Sequence, residues 1–188
     1  MKNKLRTLTL ILAISITSIS FAQKKTINTT ESSIIWTGKK VTGSHTGTLS
    51  FSKGFLQFKN NELTGGEFTV DMSSLAVTDL KAGKGKEDLE GHLSSDDFFG
   101  ITTHKTATLV IKNATKKGDK YTVTADLTIK GKTNPVTFDL VVNGSTATSN
   151  LAVDRTKYDI KYGSGSFFDN LGDKAIHDKF ELAISLKI

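Results

Sequence analysis

The chain has 188 residues, with 25 Lys and Arg against 19 Asp and Glu, for a formal net charge of +6. It contains no Cys, which excludes disulfides and thiolate metal sites and leaves packing to supply the stability. Lys2, Lys4 and Arg6 precede an apolar run from Leu8 to Ile19, and Ser20-Phe21-Ala22 sets small residues where a signal peptidase reads. Residues 1–22 are expected to be a cleaved secretory signal, too short for a comfortable membrane span. No Cys follows the run, which excludes lipoprotein attachment. Cleavage near Ala22-Gln23 removes three basic residues and no acidic ones, leaving +3 on residues 23–188. That balance gives no electrostatic footing for nucleic acid. The expectation is one periplasmic or secreted domain over 23–188.

Period-2 alternation dominates the mature chain. It marks Ile34/Trp36, Leu49/Phe51, Leu56/Phe58 and then Phe68, Val70 and Met72. Gly54 stands between two of these sets: as a bend inside one strand it predicts about eight strands, as a true turn nine. Beyond residue 104 the rhythm resumes with Leu109/Ile111. Tyr121 to Ile129 has an apolar residue at every odd position and a polar one at every even position. Val136, Phe138, Leu140 and Val142 form another face, then Leu151/Val153, and Phe180 to Ile188 closes the chain in the same way. Such alternation describes antiparallel strands with one buried and one wet face. Turns are expected at Asn60-Asn61, Lys117-Gly118-Asp119, Gly131 to Asn134 and Asn143-Gly144. The fold class predicted is all-β, an antiparallel barrel favoured over a sandwich because closure removes edge strands.

Residues 73–104 interrupt the pattern. Lys81 to Lys86 reads as a Gly/Lys loop, and Glu87 to Phe99 as short helical turns with Leu89 and Leu93 on one side. An excursion this long between strands suggests a function. Within it, His92, Ser95 and Asp96 have the residue types of a catalytic triad, yet side chains three and four apart on one turn run side by side and do not converge on a scissile bond. Ser94 or Ser95 as a helix cap with Asp96 and Asp97 in the first turn is the better reading. Of Phe98 and Phe99, one is expected to plug the barrel end and the other to pack sideways. His45, His92, His104 and His177 show no metal-ligand spacing, although convergence of His45, His92 and His177 at one barrel mouth is open. Asp169, Asn170 and Asp173 lack EF-hand spacing and read as a polar turn. No cofactor motif is present. Ten Phe and one Trp remain in residues 23–188. An eight-stranded interior is just wide enough to be filled by such side chains or to hold one small ligand.

Three stretches carry a family likeness: LSSDDFFG, DLTIKGKTNPVTFDLVV and AVDRTKYDIKYGSGSF, with WTGKKVTGSHTGTLSFSKGFLQF and GGEFTVDMSSL ahead of them. In this order, over Ser33 to Ile188, the chain resembles the YceI-like family of exported, lipocalin-like proteins. The resemblance implies an eight-stranded lipocalin-like barrel, with a short helical excursion, around an elongated apolar cavity that takes a polyisoprenoid or similar amphiphilic tail. It implies a lining drawn from Trp36, Phe51, Phe68, Val70, Leu93, Phe98, Phe99, Leu127, Phe138, Leu140 and Phe167. The partner implied is a hydrophobic small molecule, isoprenoid-like. Because transfer from a bilayer to an apolar barrel is nearly neutral, such a carrier is expected to exchange cargo through transient membrane contact at a gated end, with residues 79–100 as the candidate gate. A dimer is compatible with the sequence but not called for by it. Two alternatives stay open: an enzyme on a hydrophobic substrate with His92 and Asp96 near the mouth, and a cavity-less interaction module.

Overall fold

The alternation read from β6 (Lys120–Ile129) is realised residue by residue. Tyr121, Val123, Ala125, Leu127 and Ile129 are buried, and Thr122, Thr124, Asp126 and Thr128 lie on the outer face. A polar outside around an apolar inside is the reverse of a membrane-spanning barrel. The computed structural model describes residues 22–188, so the expected signal segment, save Ala22, lies outside the described residues. The remaining strands are β1 (Ala22–Thr26), β2 (Ser33–Lys40), β3 (Gly43–Lys59), β4 (Glu62–Val77), β5 (Thr106–Lys117), β7 (Lys132–Asn143), β8 (Thr146–Asp154) and β9 (Lys179–Lys187). All pair antiparallel in the order β1-β3-β2-β9-β8-β7-β6-β5-β4, and β4 returns to pair with β3. Strands β2 to β9 thus close an eight-stranded barrel, as expected.

Gly54 is inside β3 and is not a turn. It stands opposite Phe68, and a Cβ there would lie 2.5 Å from Phe68 Cδ1 and 3.0 Å from Ile27 Cδ1. A register shift between Phe51 and Lys53 lets the strand change its buried parity, from Leu49 and Phe51 to Gly54, Leu56 and Phe58. The ninth strand is β1, which no apolar alternation announces. It pairs from Ala22↔Lys59 to Thr26↔Phe55, and Lys24 Nζ sits 3.5 Å above the Phe55 ring. Backbone pairing along an open stretch of β3 makes this segment a strand, and its lysines mark a protected edge.

A second irregularity shapes the interior. Ser50 pairs with Asp71 and Thr48 with Ala76, so residues 72–75 of β4 face Leu49 alone. Asp71 Oδ1 accepts from Ser73 N (2.9 Å) and Ser73 Oγ (2.6 Å), while Ser74 Oγ accepts from Ser50 N (2.8 Å). These bonds satisfy the bulge, and β4 continues to Val77. The excursion therefore begins at residue 78 and not at 73. It contains α1 (Lys86–Ser94). Ser95 ends this helix, donating both its N–H (3.1 Å) and its Oγ (2.7 Å) to His92 O. The expected serine cap at a helix start is thus corrected to a C-terminal cap, because the helical turns precede the serines.

One barrel end carries short hairpins at Asn60-Asn61, Gly118 and Gly144, where positive φ lets the strands reverse tightly. The other end carries the β2–β3 and β6–β7 hairpins and two long connections, 78–105 and 155–178. Two buried clusters obey this polarity. Phe51, Leu56, Phe58, Phe68, Tyr121, Val123 and Leu140 pack the hairpin end, whereas Trp36, Met72, Leu93, Phe98, Leu127, Leu151 and Val153 belong to the end with the long connections.

Candidate functional site: a half-barrel cavity

The cavity, about 350 Å³, lies at the end of the long connections. This is at the low end of the size range of small-molecule sites, about 300–1,000 Å³. Its walls are Ile34 and Trp36 of β2, Leu49 of β3, Val70 and Met72 of β4, Ala107 of β5, Leu127 and Ile129 of β6, and Phe180 and Leu182 of β9. Its cover comes from the excursion, through Leu89, His92, Leu93, Phe98 and Phe99, and from Tyr162 and Ile176 of the second connection. Charged and titratable side chains gather toward the mouth: Lys39, Lys40, His45, Arg155, His177 and Lys179. No Asp or Glu lines the cavity among the described residues.

The cover is held by hydrogen bonds that sequence spacing does not reveal. Glu90 Oε1 of α1 accepts from the N–H of Val77, a fully buried residue, at 2.8 Å. Lys130 of the β6–β7 hairpin donates to the Asp96 carbonyl. Phe98 and Phe99 meet edge-on at 5.5 Å, and both reach the cavity. Phe99 also meets Phe180 of β9 at 6.1 Å, and His92 stacks edgewise between Phe98 (5.4 Å) and Tyr162 (4.5 Å). One aromatic cluster thus spans both connections and the barrel wall.

Arg155 ties the second connection down. Its side chain is only 2% exposed. It donates through Nε to His177 O (3.0 Å), Nη1 to Ile160 O (2.8 Å) and Nη2 to Ile176 O (3.0 Å). Its carbon head lies 5.6 Å from the Phe98 ring centre, so the two connections meet here. Burial lowers its pKa, opposed by Asp178 at 3.8 Å and by Asp154. Hydrogen bonds from Ser164 and Ser166, both 2.5 Å, hold the Asp178 carboxyl below the usual range. Asp154 caps the 3-10 turn Arg155–Tyr158 through Thr156 N (3.0 Å). That turn fills a seam, because β7 and β8 pair only over Leu140–Asn143. Tyr158 and Ile160 are buried there, and burial pushes the Tyr158 phenol up to about 12.

Six of the aromatic and aliphatic residues expected at a ligand, Trp36, Val70, Leu93, Phe98, Phe99 and Leu127, line this cavity. Phe51, Phe68 and Leu140 stand in the packed half, with the Phe51 and Phe68 rings 6.0 Å apart. Phe138 packs against both clusters. Phe167 is 50% exposed on the second connection, with Lys161 Nζ 5.1 Å above its ring. His45, His92 and His177 do converge on one mouth, but among the described residues no cluster of three His, Cys, Asp or Glu can hold a metal. His45 Nδ1 instead pairs with Asp79 Oδ2 at 2.9 Å. The lining residues that sequence reasoning passed over are chiefly Arg155, Tyr162, Lys179 and Phe180. Leu89 and Met72 had a signal, helical spacing to Leu93 and alternation after Val70, whereas Arg155 and Tyr162 arrive through a long connection that no periodicity describes.

Known structures share this architecture. BcnA of Burkholderia cenocepacia matches with a TM-score of 0.68 at 23% identity, over 85% of this chain and 98% of that one. A polyisoprenoid binding domain from Saccharophagus degradans matches with a TM-score of 0.56 at 13% identity, over 86% and 95%. The Campylobacter jejuni YCEI protein matches with a TM-score of 0.55 at 16% identity, over 98% and 97%. No curated protein sequence matches. The family model of the YceI-like domain matches residues 26–188, and the chain belongs to that family.

Proposed function

We propose that this protein is an exported, non-enzymatic carrier or binding protein for a hydrophobic or amphiphilic lipid, isoprenoid-like in its tail, held inside the barrel. The single observation that carries this reading is the division of the interior: one half is packed by the chain's own Phe and Leu, the other is left hollow behind a mostly apolar surface, with the charged side chains gathered toward its mouth. The polyisoprenoid binding domain of Saccharophagus degradans, with the same fold, supports the choice of ligand class. Each buried methylene contributes about 0.8 kcal/mol relative to water. The competing solvent in a cell envelope is the bilayer, from which transfer into an apolar cavity is nearly neutral. Such a carrier works by exchange through transient membrane contact, and the excursion over 79–100 is the gate. Val41, Tyr162, Phe167 and Phe168 are exposed on the β2–β3 hairpin and the second connection, beside the mouth, and suit that contact.

The arrangement of His92, Ser95 and Asp96 supports binding over catalysis. Ser95 Oγ donates to the His92 carbonyl and His92 Nε2 has no hydrogen-bond partner, so these three residues do not form a nucleophile–base pair with one another. The test is organic extraction of the purified protein followed by mass spectrometry, with uptake of an added isoprenoid quinone measured in parallel. A co-purifying apolar molecule or saturable uptake is the expected result; the absence of both would overturn the reading. Export is checked by N-terminal sequencing of the mature protein, with Gln23 expected first.

A further inference from the structure

The cavity stops at one level on the strands whose inner faces it shares with the packed half. On β3 it touches Leu49 but not the next inward residue, Phe51; on β4 it touches Val70 but not Phe68; on β6 it touches Leu127 but not Ala125. Successive inward residues are about 6–7 Å apart along a strand, so the floor is a single step beyond these contacts. The two rings at that step are both 7% exposed, and their centres lie 6.0 Å apart with the planes at 57°. Phe68 has no room to turn aside toward β3. Gly54 stands opposite it, where even a Cβ would come within 2.5 Å of Phe68 Cδ1 and 3.1 Å of Cε1. Ile27, 5% exposed, closes over the same glycine, and its N–H donates to Gly54 O at 3.0 Å. Phe51 and Phe68 therefore form a fastened floor.

The space above that floor is short. A water-sized group takes about 30 Å³ in the liquid, and about a quarter less at the closer packing of a protein interior. The 350 Å³ cavity therefore holds roughly 12–16 carbon-sized groups. A tail of about forty carbons would need about 900–1,200 Å³. We infer that the Phe51–Phe68 pair is a chain-length ruler: the protein selects tails of about 12–16 carbons, close to about three isoprene units, and holds longer ones only with their excess outside the barrel. This rests on reading the cavity as a lipid site, and it adds tail length to what that site discriminates.

The probe is an equimolar mixture of straight-chain primary alcohols, from about ten to about twenty carbons, in phosphatidylcholine vesicles. The purified protein is incubated with the vesicles, separated from them and extracted, and the retained alcohols are measured by mass spectrometry. Transfer from bilayer to cavity is nearly neutral, so loading is expected to be level up to the limit. Each methylene beyond it must leave the bilayer for water, and loading is expected to fall about fourfold per added methylene. In Phe68→Ala the fall is expected to begin several carbons later, and in the milder Phe51→Leu, which keeps most of the packing, slightly later. If the wild-type protein loads the longest alcohols as well as those of about twelve carbons, the ruler is overturned, whether or not either variant folds. An unchanged cut-off in a folded variant would overturn its assignment to these two rings. Loading of no alcohol at all would instead overturn the lipid-site reading itself, so the failures are distinct.

Discussion

Gly47 and Arg155 are residues whose value comes from what they allow others to do. A Cβ at Gly47 would lie 1.9 Å from Ala76 O as well as against the indole, so Gly47→Ala must move either backbone or Trp36. The expected cost is about 1–3 kcal/mol, read as a lower denaturation midpoint together with a changed emission of the single tryptophan. Arg155→Met leaves the carbonyls of Ile160, Ile176 and His177 without their donor. A loss of roughly 3 kcal/mol or more is expected in denaturant titration. Asp178 adds a pH signature. Its folded pKa is depressed by Ser164 and Ser166, so its contribution is present above the ordinary carboxylate pKa and is lost as pH falls through the depressed value. The acid limb of the stability–pH curve should flatten in Asp178→Asn, with little change in slope near neutrality.

The element that decides access is the excursion with α1. It meets the barrel through Glu90 to Val77 N–H, Lys130 to Asp96 O and the ring contacts of Phe98 and Phe99. Glu90→Ala strands a buried N–H, at about 1–3 kcal/mol of local closure. Release of a preloaded fluorescent lipid should then quicken several-fold in stopped flow, whereas Glu90→Gln, which keeps an acceptor, should stay near the wild-type rate. A release rate unchanged in both would place the gate elsewhere. This excursion was legible as an interruption of period 2 between Met72 and Leu109, and its helix from the spacing of Leu89 and Leu93. Its polarity was not. Serines followed by aspartates resemble a helix start, but the hydrogen bonds run from Ser95 back to His92, so the same residues end the helix. Capping signs are local and symmetric enough to be misread when the helix on one side is short.

At the scale of the whole molecule, the two halves of the barrel answer differently to mutation. Phe68→Ala opens a void in the packed half and is expected to cost about 3–5 kcal/mol by calorimetry while lipid uptake persists. Ala107→Phe adds bulk into the hollow half and is expected to abolish uptake with the melting temperature held or raised. The reverse pattern would mean that the halves have been assigned the wrong roles. Period-2 alternation determined the fold class and nearly every strand, because inward and outward faces must differ in polarity wherever a sheet separates core from water. The tertiary structure alone decided which inward residues meet a cavity. Phe51 and Trp36 have the same pattern along the chain, yet one packs the closed end and the other faces open space. That difference is set by where the bulges of β3 and β4 fall and by how two long connections fold back over the mouth, and these long-range contacts leave no period in the sequence.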